Sequence, residues 1–184
     1  MSASSKIRSR LLIVDCCVVI EAYRLGIWHA VVNQATVLVP ETVLNETVLV
    51  AREFDEFSVD IEALAGTGKI AVPSMTVSQL AAVRLKCGPK FMGAVHDGEL
   101  ECLATLLADV SGSAMLCSSD AVVFRYLGWT QMPDSGVSLQ EVAKSLGIAG
   151  ATKMQWKLTK AFRERYTQQG FAEAVQSGSI RLST

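Results

Sequence analysis

Six carboxylates in this chain stand where chemistry could be done. Asp15 closes the apolar run Leu11, Leu12, Ile13 and Val14 and is followed at once by Cys16, Cys17, Val18, Val19 and Ile20. An acid in that company is rarely buried without a partner. Asp120 ends a second apolar run, "AMLCSSD", and Glu46 lies six residues after Pro40 in "VPETVLNE". Asp97, Glu99 and Glu101 fall together in "HDGELE", ahead of Leu100, Leu103, Leu106 and Leu107. Taken singly, each has a simpler use. Asp97 and Glu99 suit the first turn of a helix, Asp120 suits an N-cap, and Glu46 suits a solvated helix face. Gathered in one crevice, ionised and unpaired, they would repel one another strongly and call for cations. Hard oxygen donors suit Mg²⁺ or Mn²⁺. Such an ion activates water and stabilises the leaving oxygen of a phosphodiester.

The elements that must position these acids read as short strands alternating with helices. Apolar, β-branched runs predict strands over 11–15, 36–39 and 114–117, with a further short one at 70–72. Helical spacing covers 17–32, 41–54, 75–86, 97–109 and 121–127, and most of the chain from there to about residue 169. Ser138-Leu-Gln-Glu141 matches a capping box, and Cys87-Gly-Pro-Lys90 reads as a loop. Each strand is a continuous apolar run, the mark of a parallel sheet covered by helices. The expected fold is therefore α/β, a three-layer α/β/α arrangement around a central, mostly parallel sheet. Ligands of such sheets bind beyond the carboxyl ends of the strands, where Asp15 and Asp120 lie. The expected division is residues 1–130 carrying the acids and residues 131–184 as a helical extension packed on them.

The chain has 184 residues, half of them hydrophobic and 19% charged, enough to build a real core. Its net charge of −1 carries no global signature of nucleic-acid binding, so any basic surface must be local. Five cysteines, at 16, 17, 87, 102 and 117, include no C-x-x-C pair and read as reduced thiols. Lys6, Arg8 and Arg10 precede an apolar stretch that Asp15 interrupts, and no small-residue cleavage site follows. No segment is apolar enough to span a bilayer. The expectation is a cytoplasmic protein with no membrane partner.

The order and context of the acids resemble the PIN-domain family. "LLIVD" looks like its first strand and aspartate, and "VLVPETVLNE" like its strand, proline and glutamate-bearing helix. "DGELECLATLLA" is similar to the helix of the branch that includes VapC-type toxins, and "AMLCSSD" to the strand that delivers the last aspartate. The four motifs occur in order, spaced by 31, 53 and 21 residues from Asp15 through Glu46 and Glu99 to Asp120. The resemblance implies a Mg²⁺- or Mn²⁺-dependent endoribonuclease that cleaves RNA with metal-activated water. Asp15, Glu46, Glu99 and Asp120 would be its catalytic, metal-binding acids, Asp97 and Glu101 further candidate ligands, and Ser118 a supporting hydroxyl. It also implies a small antitoxin protein as partner, as in toxin–antitoxin pairs, and a homo-oligomer, a dimer. Three features depart from the family pattern. Cys16 and Cys17 stand where Thr or Ser and then Asn or Ser are usual, and Ala121-Val122-Val123 follow the last aspartate. The third acid lies among Asp97, Glu99 and Glu101, with Glu99 preferred by the G-E spacing. The alternative is a catalytically weakened PIN-like module that binds RNA or a protein without cleaving.

Other motifs give less. "GTGK" at 66–69 lacks the first glycine and the final hydroxyl of a P-loop, where Ala63 and Ile70 stand. A receiver-like phosphoacceptor would want a second acid beside Asp15. Lys153, Lys157, Lys160 and Arg163, interleaved with Trp156, Phe162 and Tyr166, could grip an RNA backbone and stack its bases. An amphipathic helix with its aromatics in the core gives the same pattern.

Overall fold

A computed structural model describes residues 10–54, 59–149 and 154–179. Four strands form one all-parallel sheet in the order β2-β1-β3-β4. They are β1 (Leu11–Val14), β2 (Thr36–Leu38), β3 (Ala114–Cys117) and β4 (Gly136–Val137). The apolar runs form strands because both of their faces are covered: Leu12, Ile13 and Val14, and every residue of β3, are buried. β1 pairs with β3 from Leu11 against Ala114 to Val14 against Cys117, so the two strands end level.

Nine α-helices accompany the sheet among the described residues. They are α1 (Cys16–Arg24), α2 (Trp28–Gln34), α3 (Glu41–Phe54), α4 (Ile61–Gly66), α5 (Val77–Met92), α6 (Asp97–Ala108), α7 (Ala121–Trp129), α8 (Leu139–Leu146) and α9 (Lys160–Gln176). The architecture is α/β and compatible with three α/β/α layers. The chain leaves β1 toward β2 on one side and re-enters at β3 on the other. The order thus reverses between β1 and β3, which opens a crevice at their carboxyl ends.

Several elements differ from the sequence expectation, each for a local reason. The helix expected over 17–32 is two helices. Gly26 takes φ +67°, Gly26 N–H reaches the Tyr23 carbonyl and Ile27 N–H the Ala22 carbonyl, a Schellman end to α1. Cys87-Gly-Pro-Lys90 is not a loop. Gly88 turns the backbone left-handed (φ +68°), and the helix resumes beyond this kink from Pro89, whose fixed φ suits a first turn. The strand expected at 70–72 shrinks to one parallel bridge, Ala71 against Leu38. β4 is two residues long and had no pattern to announce it. The helical end of the chain runs beyond residue 169 to Gln176. The capping box at Ser138 forms as read: Ser138 N–H donates to Glu141 Oε2 at 3.0 Å and Glu141 N–H to Ser138 Oγ at 3.3 Å.

α9 crosses α7 so closely that the backbones touch. A Cβ at Gly128 would collide with the Thr167 carbonyl oxygen, and one at Gly170 with that of Arg125. Glu173 then gathers Arg125 from α7 at 2.9 Å and Lys90 from α5 at 2.8 Å. Burial pushes Glu173 upward, but Lys90, Arg125 and Gln169 outweigh it and hold its carboxyl at about 2. The crossing predicts that Gly170→Ala, which has no side chain to yield, destabilises the fold by about 1–3 kcal/mol of overpacking. Gly66→Ala, with open space around its Cα and an ordinary φ, leaves stability nearly unchanged. Denaturant midpoints of the two variants check this; an unperturbed Gly170→Ala would refute the close crossing.

Candidate functional site

Asp15 is the first residue beyond β1 and the N-cap of α1, and it is 7% exposed. Its Oδ1 accepts Val18 N–H at 2.7 Å. Its Oδ2 accepts the Ser118 hydroxyl at 2.6 Å and Ser119 N–H at 2.9 Å. The Ser118 oxygen in turn accepts Asp120 N–H at 3.0 Å, and Asp120 Oδ1 caps α7 by accepting Val122 N–H at 2.6 Å. Ser118 thus ties the ends of β1 and β3 together and sets both aspartates beside each other.

The other two acids come from α3 and α6. Glu99 is the third residue of α6 and reaches back to accept His96 N–H at 2.7 Å. Glu46 leans over the first turn of the same helix. Its Oε2 lies where a Cβ on Gly98 would approach within 2.7 Å, so only glycine leaves it that seat. Asp15, Glu46, Glu99 and Asp120 line one cleft of about 210 Å³, together with Cys16, Cys17, Val43, Val50, Gly98 and Ser119. No basic side chain lines it. Asp15, Glu99 and Asp120 belong to the starts of three separate helices, α1, α6 and α7, whose N–H ends favour negative charge.

The electrostatics record an uncompensated charge. Burial pushes Asp15 above the usual carboxylate range; the Ser118, Ser119 and Val18 bonds oppose it, and the charge of Asp120 adds to it. Burial also raises Glu46, with repulsion from Asp97 and Asp15 behind it. Glu99 is raised by burial and then by Asp120. The Cys16 thiol is pushed up to about 11, chiefly by burial, and so stays protonated at neutral pH.

The remaining candidates lie elsewhere. Glu101 is buried with both oxygens committed: Oε2 accepts Thr42 N–H at 2.7 Å and Oε1 accepts Met75 N–H at 3.3 Å. It caps α3 from a distance and does not line the cleft. Asp97 is exposed at the rim and pairs with Arg84 at 2.9 Å. Arg163 is committed to Glu141 through two bonds, at 2.8 and 2.9 Å, and Lys160 pairs with Glu164 at 3.3 Å. Phe162 is buried, as the amphipathic alternative required. Lys157 keeps no ion pair among the described residues, and Lys153 lies outside them, as do Lys6 and Arg8. Sequence reasoning used Gly98 only to choose Glu99 by the G-E spacing, not for the room it leaves Glu46, and it overlooked Ser119. The first had a signal, a glycine inside an otherwise helical "DGELE"; the second acts through its backbone and had none.

The donor set suits a hard divalent cation, since every charged group on the cleft is a carboxylate. Among the described residues, however, no three His, Cys, Asp or Glu side chains converge closely enough to hold one ion between them. The described carboxylates thus do not form a closed protein cage for a metal. Among the described residues no helix is long and apolar enough to cross a membrane. Comparison of the chain with protein-family models, curated proteins and solved structures returns no match.

The raised pKa of Glu46 has a sign. A carboxyl harder to ionise in the folded chain than in the unfolded one favours folding fully at low pH. That contribution is lost as pH climbs from the ordinary glutamate value through the raised one. Glu46 makes no hydrogen bond among the described residues, so Glu46→Gln loses none. In metal-free buffer at pH 7 that variant is expected to melt above the wild type, with the gap closing toward pH 4. Each kcal/mol of repulsion removed raises Tm by about 2–4 °C. A lower Tm for Glu46→Gln would refute the repulsive cleft.

Proposed function

We propose that the cleft binds Mg²⁺ or Mn²⁺ and that the protein is a PIN-like ribonuclease, hydrolysing RNA phosphodiester bonds. One observation carries the reading: four carboxylates from four separate elements line a single cleft at the reversal point of a parallel sheet, with no cation of the protein's own among them. A bound divalent ion would neutralise the phosphate, acidify an attacking water and steady the leaving oxygen. Asp15, held by three donors, is the fixed ligand. Asp120, joined to it through Ser118, is the second. Glu99 is anchored to its own helix turn and lines the same cleft. Glu46, without a hydrogen bond among the described residues and pushed up in pKa, is the acid suited to accept the proton of the attacking water. The helix starts at α1, α6 and α7 favour the negative charge gathered at the cleft.

The same family resemblance would make the chain the toxin of a toxin–antitoxin pair, with a small protein covering the cleft. A second reading, a module that binds RNA without cutting it, is favoured by two observations: the thiols at 16 and 17 where the family resemblance would place polar side chains, and the lack, among the described residues, of three His, Cys, Asp or Glu side chains close enough to hold one ion.

The purified protein, free of any bound protein, is expected to cleave RNA in Mg²⁺ or Mn²⁺. Asp15→Asn and Asp120→Asn abolish cleavage. Ser118→Ala, which removes only the link between the two acids, costs about 10–100-fold. RNA left intact by the wild type in both metals overturns the nuclease reading, and retention of that RNA without cleavage establishes the second.

A further inference from the structure

The crossing of α7 and α9 leaves a space beside it. A Cβ at Gly128 would meet the Thr167 carbonyl oxygen, and one at Gly170 that of Arg125, so glycine alone fits at both points. Side chains that would interdigitate between two helices are missing there. Just past the crossing α7 ends. Gln131 takes φ +58°, its N–H donates to the Gly128 carbonyl at 3.2 Å, and Met132 N–H donates to the Leu127 carbonyl at 2.8 Å. The chain then turns to Pro133. The result is a hollow of about 220 Å³ lined by Gly128, Pro133, Thr167, Gln168 and Phe171. It shares no lining residue with the acidic cleft, and Asp120 caps the other end of α7.

Two side chains of this hollow are unlike their counterparts elsewhere. Threonines of α3 and α6 return their hydroxyls to the carbonyl four residues back, Thr47 to Val43 at 2.7 Å and Thr105 to Glu101 at 2.8 Å. Thr167 does not. It is 7% exposed, and its buried hydroxyl oxygen has no hydrogen-bond partner among the described residues. A buried hydroxyl without a partner is a cost that native folds seldom leave standing. Phe171, one turn further along the same face of α9, is a large aromatic left 41% exposed. Among the described residues no charged side chain lines the hollow, so a charged guest would lose its water without gaining a counter-charge. A cavity of about 150 Å³ takes a benzene ring, so this one has room for a ring and a substituent. We propose that the hollow binds a small uncharged aromatic alcohol, a phenol. Its ring packs against Pro133 and Phe171, and its hydroxyl bonds that of Thr167, which can both donate and accept. The site is separate from the acidic cleft and owes nothing to the reading of that cleft.

The probe is phenol, titrated into the full chain, with benzene and benzoate as controls. Phenol is expected to bind saturably and to raise Tm with its concentration. NMR shift changes centre on the amides of Gly128, Thr167 and Phe171. Benzene binds about 3–10-fold more weakly, the share of one neutral hydrogen bond, and benzoate not measurably. Thr167→Val keeps the shape of the side chain and removes the hydroxyl. That variant is expected to bind benzene as well as the wild type does, to lose the preference for phenol, and to melt no lower than the wild type when ligand-free. Phe171→Ala, made on a half-exposed residue, weakens phenol and benzene alike. Absence of saturable phenol binding overturns the proposal, as does a preference for phenol that survives in Thr167→Val. Shift changes centred on the acidic cleft overturn it too. So does a fall in the ligand-free Tm of Thr167→Val, which would mean that the hydroxyl already has its partner within the protein.

Discussion

A carboxylate shut away from water at the end of a parallel strand must find donors, and Asp15 finds three. Two come from beyond β3 and one from the first turn of α1. The rest of the cleft follows from satisfying that one group. β1 and β3 must end level so that Ser118 can reach across, and α1 must start at once so that Val18 can turn its N–H back. Asp120, whose own N–H is held by Ser118, cannot then be far away. The bonds do not fully offset the burial, since the carboxyl stays above its ordinary pKa. A carboxyl left harder to ionise by folding, at the mouth of a crevice, marks a candidate functional site.

The glutamates are placed by a different logic. Glu101, two residues beyond Glu99, turns inward and supplies the donors at the start of α3 with an acceptor. That capping fixes the start of α3, and Glu46 is carried one and a half turns further along it, over Gly98. One acid of the "HDGELE" cluster is therefore structural, one faces the cleft and one pairs at the rim with Arg84. Three closely spaced acids of similar chemistry thus serve three ends.

Much of this was legible in the chain itself. Continuous apolar runs closed by an acid marked β1 and β3, and Pro40 marked the start of α3, because those signals are local. What was not legible depended on distant partners. β4 is a strand only because Leu116 and Cys117 pair with Gly136 and Val137. Whether Arg163 was free or bound turned on Glu141, 22 residues earlier. The same limit explains Glu101, whose type and spacing were those of a ligand and whose partners were backbone groups on other elements.

The link between Asp15 and Ser118 spans 103 residues. During synthesis the first strand emerges with its aspartate long before the hydroxyl that holds it exists. Until β3 arrives, β1 has only β2 beside it, and the acids have no common cleft. Assembly of the site is therefore a late event in the life of each nascent chain, and non-local pairing of this kind is slow to form. A ribosome carrying a half-made copy exposes no completed acidic cleft to the RNA around it.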